Sequence, residues 1–317
     1  MRAIVNDAPG DPGVLHLATV PLPDRFGSEF LVRVHAAGLN PIDAKTRAGH
    51  GVAAGIRSYP AILGQDFSGV VVASPYEAHP LQPGAEVFGM VTMPRYSGTF
   101  AAYVAVSELS LARKPDALSH VEAAAIPVAA LTAWGAVVDV AHAQAGQRML
   151  IHAGSGGVGH FAVQFAVLRG AHVIATGSAR NLDWLRSLGA AEVIDYSAQR
   201  FEEVARDVDV VIDLIGNVYD NTGTRSLRVL RSGGLLVNVP TGSWPNVIAD
   251  AAAAGIRATH YKVAPDARTL AIIAALIGAG DVHVELDTVF DLADAAAAHR
   301  ALGTGHTRGK IVLRVVS

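Results

Sequence analysis

A glycine-rich segment between an apolar run and a helix-like run carries the clearest chemistry in this sequence. The stretch MLIHAGSGGVGHFAVQFAVLRG holds the hexapeptide GSGGVG at its centre. A tight turn of this kind, between a strand and a helix, lets a pyrophosphate approach the backbone, and the N–H groups at the helix start bind the phosphates. We therefore expect a strand over Met149–Ala153 and a helix over Val158–Leu168, with Phe161, Phe165 and Leu168 on one face. The candidate phosphate-binding residues are Ser155, Gly156, Gly157, Val158 and Gly159.

The residues after the second strand indicate which dinucleotide is bound. An NAD enzyme places Asp or Glu there, about 20 residues beyond the glycines, to bind the ribose 2′-OH. This chain reads AHVIATGSARN, with no carboxylate before Asp183. Ser178 offers a hydroxyl and Arg180 a guanidinium suited to a phosphate, so NADPH is the better fit. The alternative for Arg180 is a solvated residue on the first helical turn, where a cation is unfavourable unless an anion comes to it.

The elements around this turn alternate between strand and helix. Short Val/Ile-rich runs (RMLIHA, AHVIAT, EVID, VDVVIDL, GGLLVNV) are separated by helical stretches (VGHFAVQFAVLRG, RNLDWLRSLGA, RFEEVARD, VYDNTGTRSLRVLRSG). This order predicts an α/β fold with a doubly wound, Rossmann-type parallel sheet. We expect it to span residues 119–262, beginning with a helix that Ser119 and Glu122 cap as a capping box.

The flanking residues, 1–118 and 263–317, should join into a second, β-rich domain. FLVRVHAAGLN, FSGVVVAS and FAAYVAV are strand candidates in its first part, and GKIVLRVV is the strand candidate that closes it.

Composition excludes several classes of function. The chain has 317 residues, a formal net charge of −3 and no cysteine. Lys and Arg are scattered, so no nucleic acid is expected as a partner, and disulfide or thiol chemistry is impossible. The opening residues MRAIVNDAPGDPG resemble neither a signal nor a transit peptide. We expect a cytoplasmic protein without a membrane span.

The sequence resembles the medium-chain dehydrogenase/reductase superfamily over nearly its full length. Zinc alcohol dehydrogenases of that superfamily take their catalytic ligands from three places, where this chain has Asn40, the Gly64-Gln65-Asp66 tripeptide and Ala129–Ala130. Zinc sites need three or four thiolate, imidazole or carboxylate ligands, so no metal is expected. The motifs GLNPIDAKTRAG, LGQDFSGVV, SGTFAAYVAV, LTAWGAV, HAGSGGVGHFAVQFA, LRSLGAAEVIDY and TRGKIVLRV are similar to the zinc-free quinone oxidoreductase (zeta-crystallin-like) branch, with its alkenal and enone reductases.

The resemblance also implies roles for individual residues. It implies a GroES-like catalytic domain, and a homodimer joined at the sheet edge near IRATHYKV. Ser178, Arg180 and Tyr196 would form the 2′-phosphate site. Thr132 would reach the nicotinamide half from one side, and the other side would be formed by Leu214, Ile215, Gly216, Asn217, Pro240 and Thr241.

Hydride transfer without a metal suits a quinone or an α,β-unsaturated carbonyl, whose own carbonyl stores the charge. Such a site needs a hydrogen-bond donor for the developing oxyanion rather than a strong acid. Asn40 is the candidate donor or orienting residue, with an Asn-Pro turn residue as the alternative. Tyr59 is the second candidate, as a pocket residue or proton donor, with a packed loop aromatic as its alternative. His152 and His160 are expected to be structural, and Asp195 to be a strand end or local cap.

Two other functions fit the same motifs. The chain could be a biosynthetic enoyl reductase, or an NADPH-binding structural or regulatory protein with little turnover. The substrate would be a small electrophilic carbonyl or quinone, and no motif distinguishes a quinone from an enone.

Overall fold

A computed structural model describes residues 1–92, 94 and 98–315 of the chain. Ser97, which opens the SGTFAAYVAV motif, and Val316, at the end of GKIVLRVV, lie outside the described residues. The chain divides into two compact units. The first unit contains Met1–Leu131 and the chain from Ala264 onward, and the second unit contains Thr132–Val263.

The strands, in chain order, are β1 (Arg2–Asn6), β2 (Leu15–Thr19), β3 (Glu29–Leu39), β4 (Ala61–Ile62), β5 (Asp66–Ala73), β6 (Glu86–Met90), β7 (Tyr103–Ser107), β8 (Leu111–Arg113), β9 (Arg148–Ile151), β10 (His172–Gly177), β11 (Glu192–Asp195), β12 (Val208–Asp213), β13 (Leu230–Asn238), β14 (Arg257–His260), β15 (Leu286–Asp291) and β16 (Lys310–Arg314). The α-helices are α1 (Pro41–Arg47), α2 (His120–Ala124), α3 (Pro127–Trp134), α4 (Gly159–Leu168), α5 (Leu182–Ser187), α6 (Phe201–Val204), α7 (Thr222–Ser226), α8 (Val247–Ala253), α9 (Ala267–Gly278) and α10 (Ala295–Gly303). Within the described ranges, no helix is both long and apolar enough to cross a membrane.

The first unit is built on two sheets. A three-stranded sheet has the order β2-β1-β4, and a larger one runs β15-β16-β3-β5-β6-β8, with β7 also paired to β3. The strand β16 lies antiparallel to β3, with Leu313 opposite Ala37. The GKIVLRVV strand therefore belongs to this unit and not to the nucleotide sheet. Phe30, Phe67 and Phe100 are fully buried in its core.

The second unit is a six-stranded sheet in the order β11-β10-β9-β12-β13-β14. Every neighbouring pair in it is parallel. Its central strands bury apolar residues on both faces: Leu150, Ile174 and Val211 are register partners on one face, and Met149, Val173 and Val210 on the other. Burial on both faces is typical of a parallel sheet covered by helices on each side. The α/β architecture predicted from the sequence is confirmed, with a Rossmann-type sheet in one unit and a β-rich arrangement in the other.

Outside the glycine-rich turn, the unit boundary, the length of one helix and the exposure of one residue differ from the expectations. The division falls at Thr132 rather than Ser119, because α2 packs on β3 and β5 of the first unit. The helix expected over VYDNTGTRSLRVLRSG shrinks to α7, because Asn221 precedes it in a left-handed conformation and β13 already starts at Leu230. Leu168 is 46% exposed, since α4 ends there and the chain turns away at Gly170.

The capping box at the start of α2 gives a stability test. The Ser119 hydroxyl accepts a hydrogen bond from the Glu122 N–H at 3.2 Å, and the Glu122 carboxylate accepts one from the Ser119 N–H at 2.8 Å. We expect Ser119→Ala to lower the free energy of unfolding by about 1 kcal/mol and Ser119→Gly by only a few tenths, as measured by urea denaturation. Ser187→Ala, at the end of α5, is the control and should leave the midpoint nearly unchanged. Equal effects of Ser119→Ala and Ser187→Ala would contradict the capping role.

Candidate active site

In the turn between β9 and α4, Gly154 and Gly159 lie so close to neighbouring atoms that a side chain would contact them. A Cβ on Gly159 would lie 2.1 Å from the Ala153 carbonyl oxygen, so only glycine fits where the helix begins. A Cβ on Gly154 would sit 3.1 Å from the Cβ of Ala175, on the next strand. Thr176 holds the turn to that strand, because its hydroxyl accepts from the Ala153 N–H at 3.1 Å. The strand β9 covers Arg148–Ile151 rather than Met149–Ala153, so the turn begins two residues earlier than expected. The helix starts at Gly159, one residue later than expected, and points its N-terminus at this turn.

A polar corner lies beside the turn, where β10 and β11 end. Ser178 follows β10, and the Tyr196 N–H donates to the Gly177 carbonyl at 3.2 Å, which brings the two segments together. Asn181 joins this corner to the turn: its Nδ2 donates to the Ser155 hydroxyl at 3.1 Å and to the Ser178 hydroxyl at 3.2 Å. Arg180 lies on the exposed side of the same corner. Asn181 is buried and was missed from the sequence, although its place just ahead of α5 is typical of a capping residue.

The loops after β12 and β13 are tied together by one buried carboxylate. One oxygen of Asp213 accepts from the Gly216 N–H at 2.7 Å, and the other accepts from Asn238 Nδ2 at 2.9 Å. Gly216 has φ +69°, and a Cβ on it would meet the Ser243 hydroxyl at 2.1 Å. The Asn217 N–H donates to the Ser243 carbonyl at 3.2 Å, and the Ser243 hydroxyl donates to the Pro240 carbonyl at 2.8 Å. These bonds join the loop that holds the candidate residues Leu214, Ile215, Gly216 and Asn217 to the loop that holds Pro240 and Thr241.

These groups share one edge of the sheet. The carboxyl ends of parallel strands meet at the same edge, so the turn after β9, the polar corner and the two loops face one crevice region. A cavity of about 370 Å³ lies at the β13–β14 end of this edge, lined by Pro240, Thr241, Trp244, Tyr261 and Lys262 among others. Thr132 is buried in α3, as the first residue of the second unit.

The two histidines near the turn are held by structural contacts. His152 lies between the hydroxyls of Ser226, at 2.8 Å, and Thr176, at 3.3 Å. Burial lowers the pKa of His152 to about 4, so the ring is neutral. Nδ1 of His160 lies 3.0 Å from the Gly156 carbonyl oxygen and supports the turn from the helix. Asp195 is a local cap, since it accepts from both the N–H and the hydroxyl of Ser197.

In the first unit, Asn40 sits in a buried cluster of charged side chains. Lys310 Nζ lies 2.5 Å from Asn40 Oδ1 and 3.2 Å from Asp66 Oδ2. Asn40 Nδ2 donates to Asp66 Oδ2 at 2.8 Å, and the Val128 N–H donates to the other oxygen of Asp66 at 2.7 Å. Burial raises the pKa of Asp66, and these donors, led by the Lys310 ammonium, oppose that rise.

This donor set does not suit zinc. Of the residues that stand where the zinc enzymes have ligands, Asp66 is the one carboxylate, and both of its oxygens are already engaged. The Lys310 ammonium beside it would repel a cation. Among the residues the structure describes, no three His, Cys, Asp or Glu side chains come together as a metal-binding group.

Two further polar residues of this unit bear on the site. Asp43 accepts from the Asn40 N–H at 2.8 Å, and burial raises the pKa of Asp43 to about 7. Tyr59 is half-buried in the loop just before β4. Lys310 and Asp43 were both missed from the sequence. A single lysine at the start of an apolar strand, in GKIVL, was the available signal for the first.

The raised pKa of Asp43 predicts how stability depends on pH. Between pH 4 and 7 the folded state keeps this proton while the unfolded state has lost it, so the contribution of Asp43 to stability falls as pH rises. We expect Asp43→Asn, which keeps an acceptor oxygen for the Asn40 N–H, to remove that dependence. Its unfolding free energy relative to wild type should grow by about 1 kcal/mol per pH unit across this window.

Urea denaturation at a series of pH values measures the effect. The exposed Asp116→Asn is the control, and its difference from wild type should stay constant. A constant difference for Asp43→Asn as well would mean that Asp43 titrates at its ordinary value.

Comparison with known proteins agrees with this architecture. The chain matches the Alcohol dehydrogenase GroES-like domain over residues 27–116 and the Zinc-binding dehydrogenase domain over residues 188–313. It is 32% identical to the mitochondrial NAD(P)H oxidoreductase RTN4IP1 of Danio rerio, over all of this chain and 92% of that protein. It is 32% identical to the chloroplastic NADPH-dependent alkenal/one oxidoreductase of Arabidopsis thaliana, over 99% of this chain and 79% of that protein.

The structural likeness is closer still. The quinone oxidoreductase from Coxiella burnetii superposes with a TM-score of 0.94 at 38% identity, over 100% of this chain and 99% of the other. The expected family is thereby confirmed. The chain belongs to the medium-chain dehydrogenase/reductase superfamily, in the branch of quinone oxidoreductases and alkenal/one reductases.

Proposed function

We propose that this protein is an NADPH-dependent reductase that delivers hydride to a quinone or to the C=C bond of an α,β-unsaturated carbonyl, without zinc. One observation carries the proposal: the turn after β9 and the polar corner after β10 meet through Asn181, and the corner offers Ser178 in place of a ribose-binding carboxylate. The names of the Arabidopsis and Coxiella relatives support the same reaction class.

NADPH fits this unit because the glycine-rich turn leaves its backbone accessible to a pyrophosphate. Ser155, Gly156, Gly157, Val158 and Gly159 would bind the pyrophosphate at the N-terminus of α4, where the backbone comes close because Gly154 and Gly159 carry no side chain. Ser178, Arg180 and Tyr196 would bind the 2′-phosphate. The nicotinamide half would be bordered by Thr132, by Leu214, Ile215, Gly216 and Asn217 of one loop, and by Pro240 and Thr241 of the next.

The chemistry requires little of the protein beyond binding, orientation and one donor. NADPH, when bound, supplies the hydride. As the β-carbon of an enone gains hydride, its carbonyl oxygen becomes an enolate oxyanion, and a proton from solvent or from Tyr59 then adds to the α-carbon. Asn40 has one N–H left after its bond to Asp66, and we assign to it the stabilisation of that oxyanion. Tyr59 would line the substrate pocket or donate the proton.

Assembly and location follow as parts of the same proposal. The strand β14 ends the sheet order of the second unit, and pairing of two such edges would give the homodimer that the family resemblance implies. A cysteine-free chain suits a reducing compartment, and we propose a cytoplasmic location. The Danio relative is named as mitochondrial.

A panel of acceptors tests the reaction. NADPH oxidation is followed at 340 nm with 9,10-phenanthrenequinone, butenone and a crotonyl thioester, and butanone serves as the saturated control. We expect turnover with the quinone or the enone and none with butanone, because the alkoxide formed from a saturated ketone is not delocalised and would need a Lewis acid or a strong general acid. Turnover restricted to the thioester would identify an enoyl reductase. Tight NADPH binding with no oxidation by any acceptor would favour a binding protein instead.

The polar corner predicts the choice of cofactor. A charge-assisted contact from Arg180 to the 2′-phosphate is worth about 1.5–3 kcal/mol, which corresponds to a preference of roughly 10- to 100-fold for NADPH over NADH in kcat/KM. We expect Arg180→Ala to raise KM for NADPH by that factor and to leave kcat and the NADH kinetics nearly unchanged. Ser178→Asp should go further, because it repels the phosphate and offers NADH a partner for its ribose.

Arg186→Ala is the matched control, an exposed arginine on the helix that follows, paired with Asp183. It should leave both cofactors unaffected. Comparable use of NADH and NADPH by the wild-type enzyme would show that the missing carboxylate does not select the cofactor.

A further inference from the structure

The side chain of Asn40 is held between two groups of opposite charge. Its Oδ1 lies 2.5 Å from the ammonium of Lys310, and its Nδ2 lies 2.8 Å from a carboxylate oxygen of Asp66. The three residues are each no more than 3% exposed, so water does not screen these contacts. We call the cluster of Asn40, Asp66 and Lys310 the amide clamp.

An ammonium can only donate hydrogen bonds and a carboxylate can only accept them. The amide of Asn40 can therefore take one orientation, with its oxygen toward Lys310 and its nitrogen toward Asp66. The reversed orientation would set N–H against ammonium and oxygen against carboxylate, two repulsive contacts in a buried place. Of the two N–H groups on Asn40 Nδ2, one is given to Asp66, and the direction of the second is fixed with it.

Both charged partners are anchored by the backbone. The Lys310 ammonium also donates to the Leu39 carbonyl at 3.0 Å. Lys310 is the first residue of β16 and lies next to the end of β3. Asp66 begins β5 and accepts from the Val128 N–H at 2.7 Å. Gly309, the residue before Lys310, has φ +73°, and a Cβ on it would lie 2.2 Å from the Glu285 carbonyl oxygen. The backbone conformation just before Lys310 is therefore constrained as well.

Stability alone does not account for a buried ion pair here. Removing two charges from water costs about as much as their attraction returns, and apolar replacements of similar volume are often neutral or stabilising. The ion pair does, however, hold the amide of Asn40 in one orientation, which is a contribution to geometry rather than to stability.

We propose that Lys310 is a positioning residue for the reduction, which together with Asp66 keeps an N–H of Asn40, and not its oxygen, turned toward the developing oxyanion. This inference rests on the proposed function of Asn40. Lys310 itself touches neither substrate nor cofactor in this role.

The double variant Lys310→Met/Asp66→Asn tests the clamp with the buried charges removed as a pair. The Val128 N–H should hold the oxygen of the new amide at position 66, which turns its nitrogen toward Asn40 and reverses the Asn40 amide. We expect a folded protein with a thermal midpoint near that of wild type and an unchanged KM for NADPH. Its kcat should fall at least about 10-fold, because an acceptor replaces the donor.

Asn40→Ala separates this inference from the proposed function. It should lower kcat by about 100-fold, the usual loss on removing one oxyanion donor, and the triple variant should be no slower than Asn40→Ala. Wild-type kcat in Asn40→Ala would refute the donor role itself. If Asn40→Ala lowers kcat but the double variant keeps the wild-type kcat, only the clamp is refuted. The clamp is also refuted if the decrease in kcat of the triple variant equals the product of the decreases in Asn40→Ala and in the double variant.

A second comparison serves if the double variant does not fold. Lys310→Gln retains an N–H donor for Asn40 Oδ1, whereas Lys310→Met retains none. With circular dichroism and thermal midpoints matched, we expect the Gln variant to keep a kcat several-fold above that of the Met variant. Equal kcat values in the two would overturn the inference.

Discussion

Main-chain hydrogen bonds join β9 to β10 on one side and to β12 on the other, with Ile151 opposite both Ala175 and Ile212. This central pairing sets where each strand ends, and the loops follow from it. Because the three strands are parallel and in this register, the turn after β9, the corner after β10 and the loop after β12 open at the same edge. The α4 N-terminus then faces the same region. Loss of this register would separate every group of the second unit that we assign to the cofactor.

Burial of polar side chains at strand ends is the second constraint, and it operates in both units. Asp213 ends β12 and Asp66 begins β5, and each is fully buried with both carboxylate oxygens accepting hydrogen bonds. A buried carboxylate without partners would be costly, so each one requires its loops in a single arrangement. Asp213 joins main-chain donors of the loop after β12 to the side chain of Asn238 at the end of β13, and Asp66 fixes the side-chain amide of Asn40. The same physical requirement therefore shapes a backbone in one place and a functional group in the other.

The sequence predicted those parts whose determinants are local. The turn after β9 could be placed because glycine spacing, an apolar strand and a helix follow one another directly, and the capping box at Ser119 could be read for the same reason. The contact of Lys310 with Asn40 spans 270 residues, and no periodicity links two such positions. The length of α7 was overestimated because the left-handed Asn221 before it is not evident from helix propensity. The exposure of Leu168 depends on where α4 runs out, which hydrophobic spacing alone does not fix.

The position of Lys310 has a consequence for synthesis on the ribosome. β3 and β5 emerge early, but the strand that brings the ammonium to Asp66 is made only after all of residues 132–263. Until then Asp66 lacks its ammonium partner, and β3 has an open edge where β16 will pair. The second unit, which is continuous in the chain, can fold while the first waits. Translation thus completes the nucleotide sheet before the clamp around Asn40 can close.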